Sequence, residues 1–344
     1  MIYDYEYNFL FIRLVKYSFF LMIIISVYFT YINNFININN IIKKNINKIT
    51  KVNQINNIKV CICTLGKKEN KYIREFVSHY RKYGIDKIFL YDNNNINDEK
   101  FDNIISDYIK IKYIEIFNYR GKETPQFKIY NDCYKKNNKK YDWLIFYDLD
   151  EYINLKYYTN IKQFLSENKF NKCKLIYLNC IRHTDNDLVY YDNRSLAERF
   201  PFIKWESNMF TVKTIIRGNI KKLKFKTSHW LDRTIKGCNS FGEIIEPTQK
   251  KKMNNNINNF KNSYIDHYCF KSTEEYISKI NKGDAIYGKN KKIMLHKLKL
   301  YFNYNNITLK KIEYIEKETG LNLKEYKLKL EKKKQLNKLL KMNE

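Results

Sequence analysis

The sequence predicts an α/β fold built on a mostly parallel sheet flanked by helices. Three observations predict it. Apolar strand-like runs alternate with helical patterns from residue 58 to about 150. Thr64, Asp92 and Asp148 each close one of those strand-like runs. The chain has 344 residues, 44% hydrophobic and 16% aromatic, enough for one large core or two ordinary ones. That composition excludes a disordered chain, a collagen-like repeat and a small disulfide scaffold.

Each element has a local reason. Residues 58–64 (IKVCICT) form an apolar run of strand length. In 69–83, Ile73, Phe76, Val77 and Tyr80 recur at helical spacing, and Gly84 follows as a helix stop. Residues 86–91 (DKIFLY) read as a second strand ending in the turn cluster Asp92-Asn93-Asn94-Asn95. A helix is expected over 101–108, a third strand over 112–117, and a helix opened by Pro125 through Lys136. Residues 142–147 (DWLIFY) make the fourth strand and run into Asp148-Leu149-Asp150-Glu151. Beyond 170 the pattern is more strand-like, at 173–179, 210–217 and 224–229. Residues 249–262 are low-complexity and read as an exposed loop. Ser272 caps a helix over 273–282, with Glu275 in the capping-box place. The stretch 308–342 is basic and helical, broken at Gly320.

The ends of the chain differ from its middle. Residues 17–32 (YSFFLMIIISVYFTYI) are sixteen uncharged residues, slightly short of the roughly 20 that span a bilayer. No small-residue cleavage site follows, so an uncleaved signal anchor is preferred to a cleaved leader. Arg13 and Lys16 just before it favour a cytoplasmic N-terminus. The expected organisation is a tail (1–16), an anchor (17–32), a polar stem (33–57), a catalytic domain (58–300) and basic C-terminal helices (301–344).

Lys and Arg number 64 against 36 Asp and Glu, a net charge of +28. Ile, Asn, Lys and Tyr dominate, while Gly (9) and Pro (3) are scarce. Such a bias raises Lys without any anionic partner, so the charge names none. The seven cysteines show no zinc-ligand spacing and no readable redox compartment. Sequons stand at Asn193 and Asn306.

Chemistry concentrates at Asp148-Leu149-Asp150-Glu151. Carboxylates at the end of an apolar strand need a cationic neutraliser. A hard divalent cation fits, because it takes carboxylate oxygens and keeps positions open for phosphate oxygens. Among five histidines, His267 and His229 close strand-like runs and could supply a further ligand, whereas His79 lies inside the first helix. Arg182, Arg199, Arg217 and Lys271 could contact a diphosphate.

Several motifs then occur in a recognisable order: Cys63-Thr64-Leu65 with Glu69 ahead of Tyr72-Ile73-Arg74-Glu75-Phe76, then Gly84 to Asn93 (GIDKIFLYDN). Gln126, Tyr130, Asn131 and Cys133 precede Asp142-Trp143 and Asp148-Leu149-Asp150-Glu151-Tyr152. Ala197 to Phe200, Val212 to Arg217 and His229 follow, and Asp266-His267-Tyr268 with Lys271 to Tyr276 and Lys279 to Gly283 close the series. From Val60 to about Ala285 the chain resembles glycosyltransferase family 92 and related family-2-like glycosyltransferases, which have a GT-A, Rossmann-like fold. The block Asn179-Cys180-Ile181-Arg182-His183 departs from the family pattern where the acceptor pocket is shaped.

The resemblance implies transfer of a sugar from a UDP-linked donor to a hydroxyl of a glycan or glycoprotein, with inversion and most often of galactose. It implies donor contacts from Thr64, Glu69, Asp92, Asp148 and Lys271, and Mn²⁺ or Mg²⁺ on Asp148 and Asp150 with His267 (alternatively His229) as third ligand. Inversion needs a general base; Glu206 is the choice, with Glu151, Asp185 and Glu243 as alternatives. In a eukaryotic secretory pathway the domain would face the ER or Golgi lumen behind a single-pass anchor. Two rivals are an inactive glycan- or nucleotide-binding relative and a nucleic-acid-binding protein. No nucleic acid is expected, since the lysines are spread over loops and C-terminal helices.

Overall fold

The computed structural model describes residues 58–341 apart from 123–125, 205–210, 222, 226–234, 247–259 and 283–290. Before residue 58 it describes only 17, 18, 22, 26, 28–33, 36–38, 40, 43, 44, 55 and 57. The chain divides into two units, Met1–Asn57 and Ile58–Glu344. Seven of the sixteen residues of the expected anchor over 17–32 lie outside the described residues. Among the described residues no helix is long and apolar enough to cross a membrane.

The second unit is an α/β fold. Its first half follows the strand–helix alternation of the sequence. Strands β1 (Val60–Gly66), β2 (Lys87–Asp92), β3 (Ile114–Asn118) and β4 (Trp143–Phe146) alternate with helices α1 (Asn70–Lys82), α2 (Ser106–Lys110) and α3 (Gln126–Asn137). These four strands are parallel, in the order β3-β2-β1-β4. Both faces are covered, which is why the strands are continuous apolar runs. Val60, Ile62, Ile88, Leu90 and Ile145 share one core with Ile73, Phe76 and Val77 of α1. Cys61, Cys63, Phe89, Leu144 and Phe146 share the opposite core with Ile129, Tyr130 and Cys133 of α3. Strand alternation thus divides one run between two layers.

Helix α1 buries Tyr72, Ile73, Phe76, Val77 and Tyr80. It stops at Gly84, whose φ of +79° suits glycine. There Gly84 N donates to Arg81 O and Ile85 N to Tyr80 O, the paired bonds of a Schellman turn. The expected helix over 101–108 is shorter: only Ser106–Lys110 is helical, after a turn in which Phe101 O accepts from Ile104 N and Ile105 N.

The second half extends the sheet. Strand β5 (Glu151–Leu155) follows β4 almost at once, and α4 (Ile161–Leu165), β6 (Leu175–Arg182), α5 (Leu196–Arg199) and β7 (Val212–Arg217) come next. Short strands β8 (Gly237–Cys238) and β9 (Ile244–Ile245) precede β10 (Ser263–His267) and α6 (Thr273–Asn281). The sheet reads β3-β2-β1-β4-β7-β6-β10-β5. β7 runs antiparallel to both β4 and β6, β10 lies parallel to β6, and β5 returns antiparallel to β10. Strand β5 was not legible, because its first residue also ends the acidic motif. The run expected over 224–229 and the loop expected over 249–262 lie mostly outside the described residues.

Helix α6 carries the full capping box of Ser272 and Glu275, as expected. Helices α7 (Lys291–Tyr304), α8 (Leu309–Thr319) and α9 (Lys324–Lys341) follow. Thr308 caps α8, and Gly320, at φ +66°, ends it. Helix α7 crosses position 300, where composition suggested a boundary. Its Leu298, Tyr301 and Phe302 share one core with Tyr276, Ile277 and Ile280 of α6 and with Ile312 and Ile315 of α8.

Two disulfides, Cys63–Cys133 and Cys173–Cys238, join residues 70 and 65 apart in sequence. Their pairing escaped the sequence because the partners meet only once the layers are assembled. One buried ion pair fixes α6 to the body: Arg199 Nη1 donates to Glu275 Oε2 at 2.7 Å, both side chains being 2% exposed. Tyr72 OH donates to the other oxygen of Glu275 at 2.5 Å. Arg199→Ala should therefore destabilise the domain by about 3–5 kcal/mol, the usual cost of stranding a buried charge. Urea unfolding of native and variant protein measures it.

Candidate active site

The carboxyl end of the parallel strands gathers the acids. Asp148 lies just past β4, and Glu151 opens β5, which pairs with β10 so that Glu151 stands opposite His267. Tyr268 N donates to Asp150 O at 2.9 Å, which locks the acidic turn against the end of β10. This register brings Asp150, Glu151 and His267 together, with one ligand atom from each inside a 4.8 Å cluster. His267 Nε2 is 3.6 Å from Asp150 Oδ1 and 3.8 Å from Glu151 Oε1.

Asp148 stands outside that cluster. Its Oδ2 accepts from Lys213 Nζ at 2.7 Å, and its Oδ1 accepts from Gln126 at 2.6 Å and from Tyr130 at 3.1 Å. Lys213, on β7, is fully buried and also reaches Glu151 Oε2 at 3.1 Å. Asp150 Oδ2 accepts from Lys279 Nζ at 2.6 Å. Burial alone would raise the Asp150 carboxyl, but Lys279, His267 and Lys271 together hold it well below the usual carboxylate range. Burial pushes Glu151 up to about 8 against the pull of Lys213. Burial opposes the charge of Lys213 as well, yet Asp148 and Glu151 hold its ammonium well above the ordinary value. Burial lowers His267, against Asp150.

These donors fit a hard or borderline divalent cation. Glu151 Oε1 is buried and has no hydrogen-bond partner among the described residues, an oxygen left facing the cluster. Two carboxylates and one imidazole suit Mn²⁺ or Mg²⁺ and leave positions for phosphate oxygens.

The remaining expected residues lie within β1, ahead of α1, at the end of β2 and ahead of α6. Thr64, expected to close β1, lies inside it because the strand continues to Gly66; it is fully buried, and its hydroxyl has no partner among the described residues. Glu69 precedes α1 and pairs with Lys282 at 2.5 Å and Lys271 at 3.4 Å. Burial works against its charge, and those two amines keep its carboxyl below the ordinary value. Lys271 also lies 3.3 Å over the Tyr72 ring. Asp92, at the end of β2, is held by Arg120 at 2.8 Å and by Asn94.

The alternatives scatter. Glu206 and His229 lie outside the described residues. Asp185 is tied to Lys311 and Tyr301, and Glu243 to Asn239 across the β8–β9 turn. His79 Nε2 faces Ile153 O at 3.0 Å, a structural contact. Arg199 and Arg217 are likewise structural, Arg217 meeting Phe170 O, Cys173 O and the Trp143 ring.

Sequence reasoning assigned no role to Lys213, Lys279, Lys282 or Arg120. Lys213 did leave a signal, since a lysine inside the apolar run VKTIIR is costly unless an acid meets it. Lys279 and Lys282 are three apart near the end of α6 and so share a face.

A family model, glycosyltransferase family 92, matches residues 56–241, just over half of the chain. The chain belongs to glycosyltransferase family 92. A family 92 protein of Ricinus communis is 28% identical over 100 residues, 28% of this chain and 17% of that one. One of Arabidopsis thaliana is 25% identical over 97 residues, 27% of this chain and 16% of that one. The matched stretch thus spans about a sixth of either relative's length. Among solved structures, S. aureus TarS is similar at 11% identity over 72% of this chain and 43% of that chain, with a TM-score of 0.36. A likeness that loose says nothing about the site or its chemistry.

Lys213→Met should cost about 3–5 kcal/mol, because it leaves Asp148 and Glu151 without their shared cation. Chemical denaturation of native and variant protein reads the loss directly.

Proposed function

We propose that the chain is a metal-dependent, GT-A-like glycosyltransferase that moves a sugar, galactose, from a UDP-linked donor to a hydroxyl of a glycan or glycoprotein, with inversion. The observation that carries this reading is the cluster Asp150, Glu151 and His267 at the carboxyl end of the sheet, where α/β folds bind their ligands. Family membership supports the class of reaction.

In this reading Asp150, Glu151 and His267 hold Mn²⁺ or Mg²⁺. When bound, the cation supplies Lewis-acid stabilisation of charge on the departing diphosphate. The protein's own groups do the rest. Lys279 and Lys271 present amines to the diphosphate. Thr64 of β1, Glu69 ahead of α1 and Asp92 at the end of β2 take the nucleoside. Asp148, oriented by Gln126, Tyr130 and Lys213, faces the donor instead of the cation. Glu206 accepts the proton of the acceptor hydroxyl.

The two disulfides support an oxidising compartment. With residues 17–32 as a signal anchor, the domain would stand on the lumenal side of the ER or Golgi membrane.

The test is sugar transfer by the full chain from UDP-galactose to a glycan acceptor, with Mn²⁺ and with EDTA. Transfer should require the metal. Asp150→Ala should lose more than about 100-fold, beyond what losing an outer partner of a ligand costs. Turnover retained by this variant, at matched circular dichroism, would sink the metal reading. His267→Ala should weaken Mn²⁺ binding more than His229→Ala; the reverse order would reassign the ligand.

A further inference from the structure

We infer that Lys279 is an internal counter-cation for Asp150, one that weakens binding of the divalent cation until a nucleoside diphosphate arrives. The inference rests on the metal reading above and deepens it.

Four acids at the sheet end, Glu69, Asp148, Asp150 and Glu151, meet four amines. Lys213 touches Asp148 and Glu151, Lys279 touches Asp150, and Lys271 and Lys282 touch Glu69. Even with every carboxylate ionised the set is neutral. The nearby pairs Asp92–Arg120 and Arg199–Glu275 each neutralise themselves. Arg182, whose side-chain donors reach Tyr304 and Thr211, adds positive charge on the same side as His267. A divalent cation entering alone therefore adds unbalanced charge where water screens poorly, and it is repelled most by the amine already on its ligand. A nucleoside diphosphate brings the missing negative charge and gives Lys279 a second acceptor. By linkage, whatever affinity the cation gains from the nucleotide, the nucleotide gains from the cation.

Lys279 is the lever for two structural reasons. It is the amine in contact with Asp150, a member of the cluster. Its side chain is 34% exposed, whereas Lys213 is fully buried, so it can be replaced without opening the core.

The experiment titrates the full chain with Mn²⁺ and reads free Mn²⁺ by electron paramagnetic resonance. It is run with and without UDP and corrected with a protein-free blank for the Mn²⁺–UDP complex. UDP should tighten Mn²⁺ about 10-fold or more, within the usual range of coupling between sites. Lys279→Met, which keeps the stem and removes the charge, should tighten Mn²⁺ alone several-fold and shrink the effect of UDP. Lys279→Arg should track the native protein, and melting temperatures measured alongside identify any folding defect. Mn²⁺ affinity indifferent to UDP, or unchanged in Lys279→Met, overturns the inference and leaves the transferase reading standing. Failure of both Mn²⁺ and UDP to bind the native protein overturns the two together.

Discussion

The buried ammonium of Lys213 is the interaction on which the site depends. It sits between Asp148 and Glu151 on a strand that runs against β4, the strand leading into both acids. Without a cation there, two acids would meet at the foot of β5 with no positive charge between them. With it, β4 can end, turn through Asp148 to Asp150 and return as β5 within a few residues. That short turn sets the pairing of β5 with β10, and the pairing sets His267 beside Glu151. The arrangement of acids at this end of the sheet is thus the product of one electrostatic match made in the core.

The amines on the other side have a different support. Lys271 lies just before α6, Lys279 within it and Lys282 just after it, and the helix is held by the Arg199–Glu275 pair and by a core shared with α7 and α8. The C-terminal helices are therefore more than an appendage. They support the helix that carries Lys279 and is flanked by Lys271 and Lys282.

The sequence was most legible where periodicity and burial coincide. Strands β1 to β4 and helices α1 and α3 were readable because each run is apolar and bounded by a turn signal. The capping box at Ser272 and the break at Gly320 were readable because their chemistry is local. What escaped was non-local. β5 is short and begins inside the acidic motif, so its pairing with β10 has no signature in its own residues. The sharing of Asp148 and Glu151 by Lys213 depends on β7 lying beside β4, and no spacing in the chain encodes that. The motif drew attention to these acids, but which of them face one another is decided by register.

The Cys63–Cys133 bond has a consequence for how the protein matures. Cys63 directly precedes Thr64 within β1, and Cys133 lies on the helix whose Gln126 and Tyr130 orient Asp148. The covalent staple therefore ties β1 to the helix that orients Asp148. A chain synthesised under reducing conditions would keep its hydrophobic layers but carry that helix on non-covalent contacts alone. How firmly that helix is held on β1 would then depend on whether the two thiols have been oxidised.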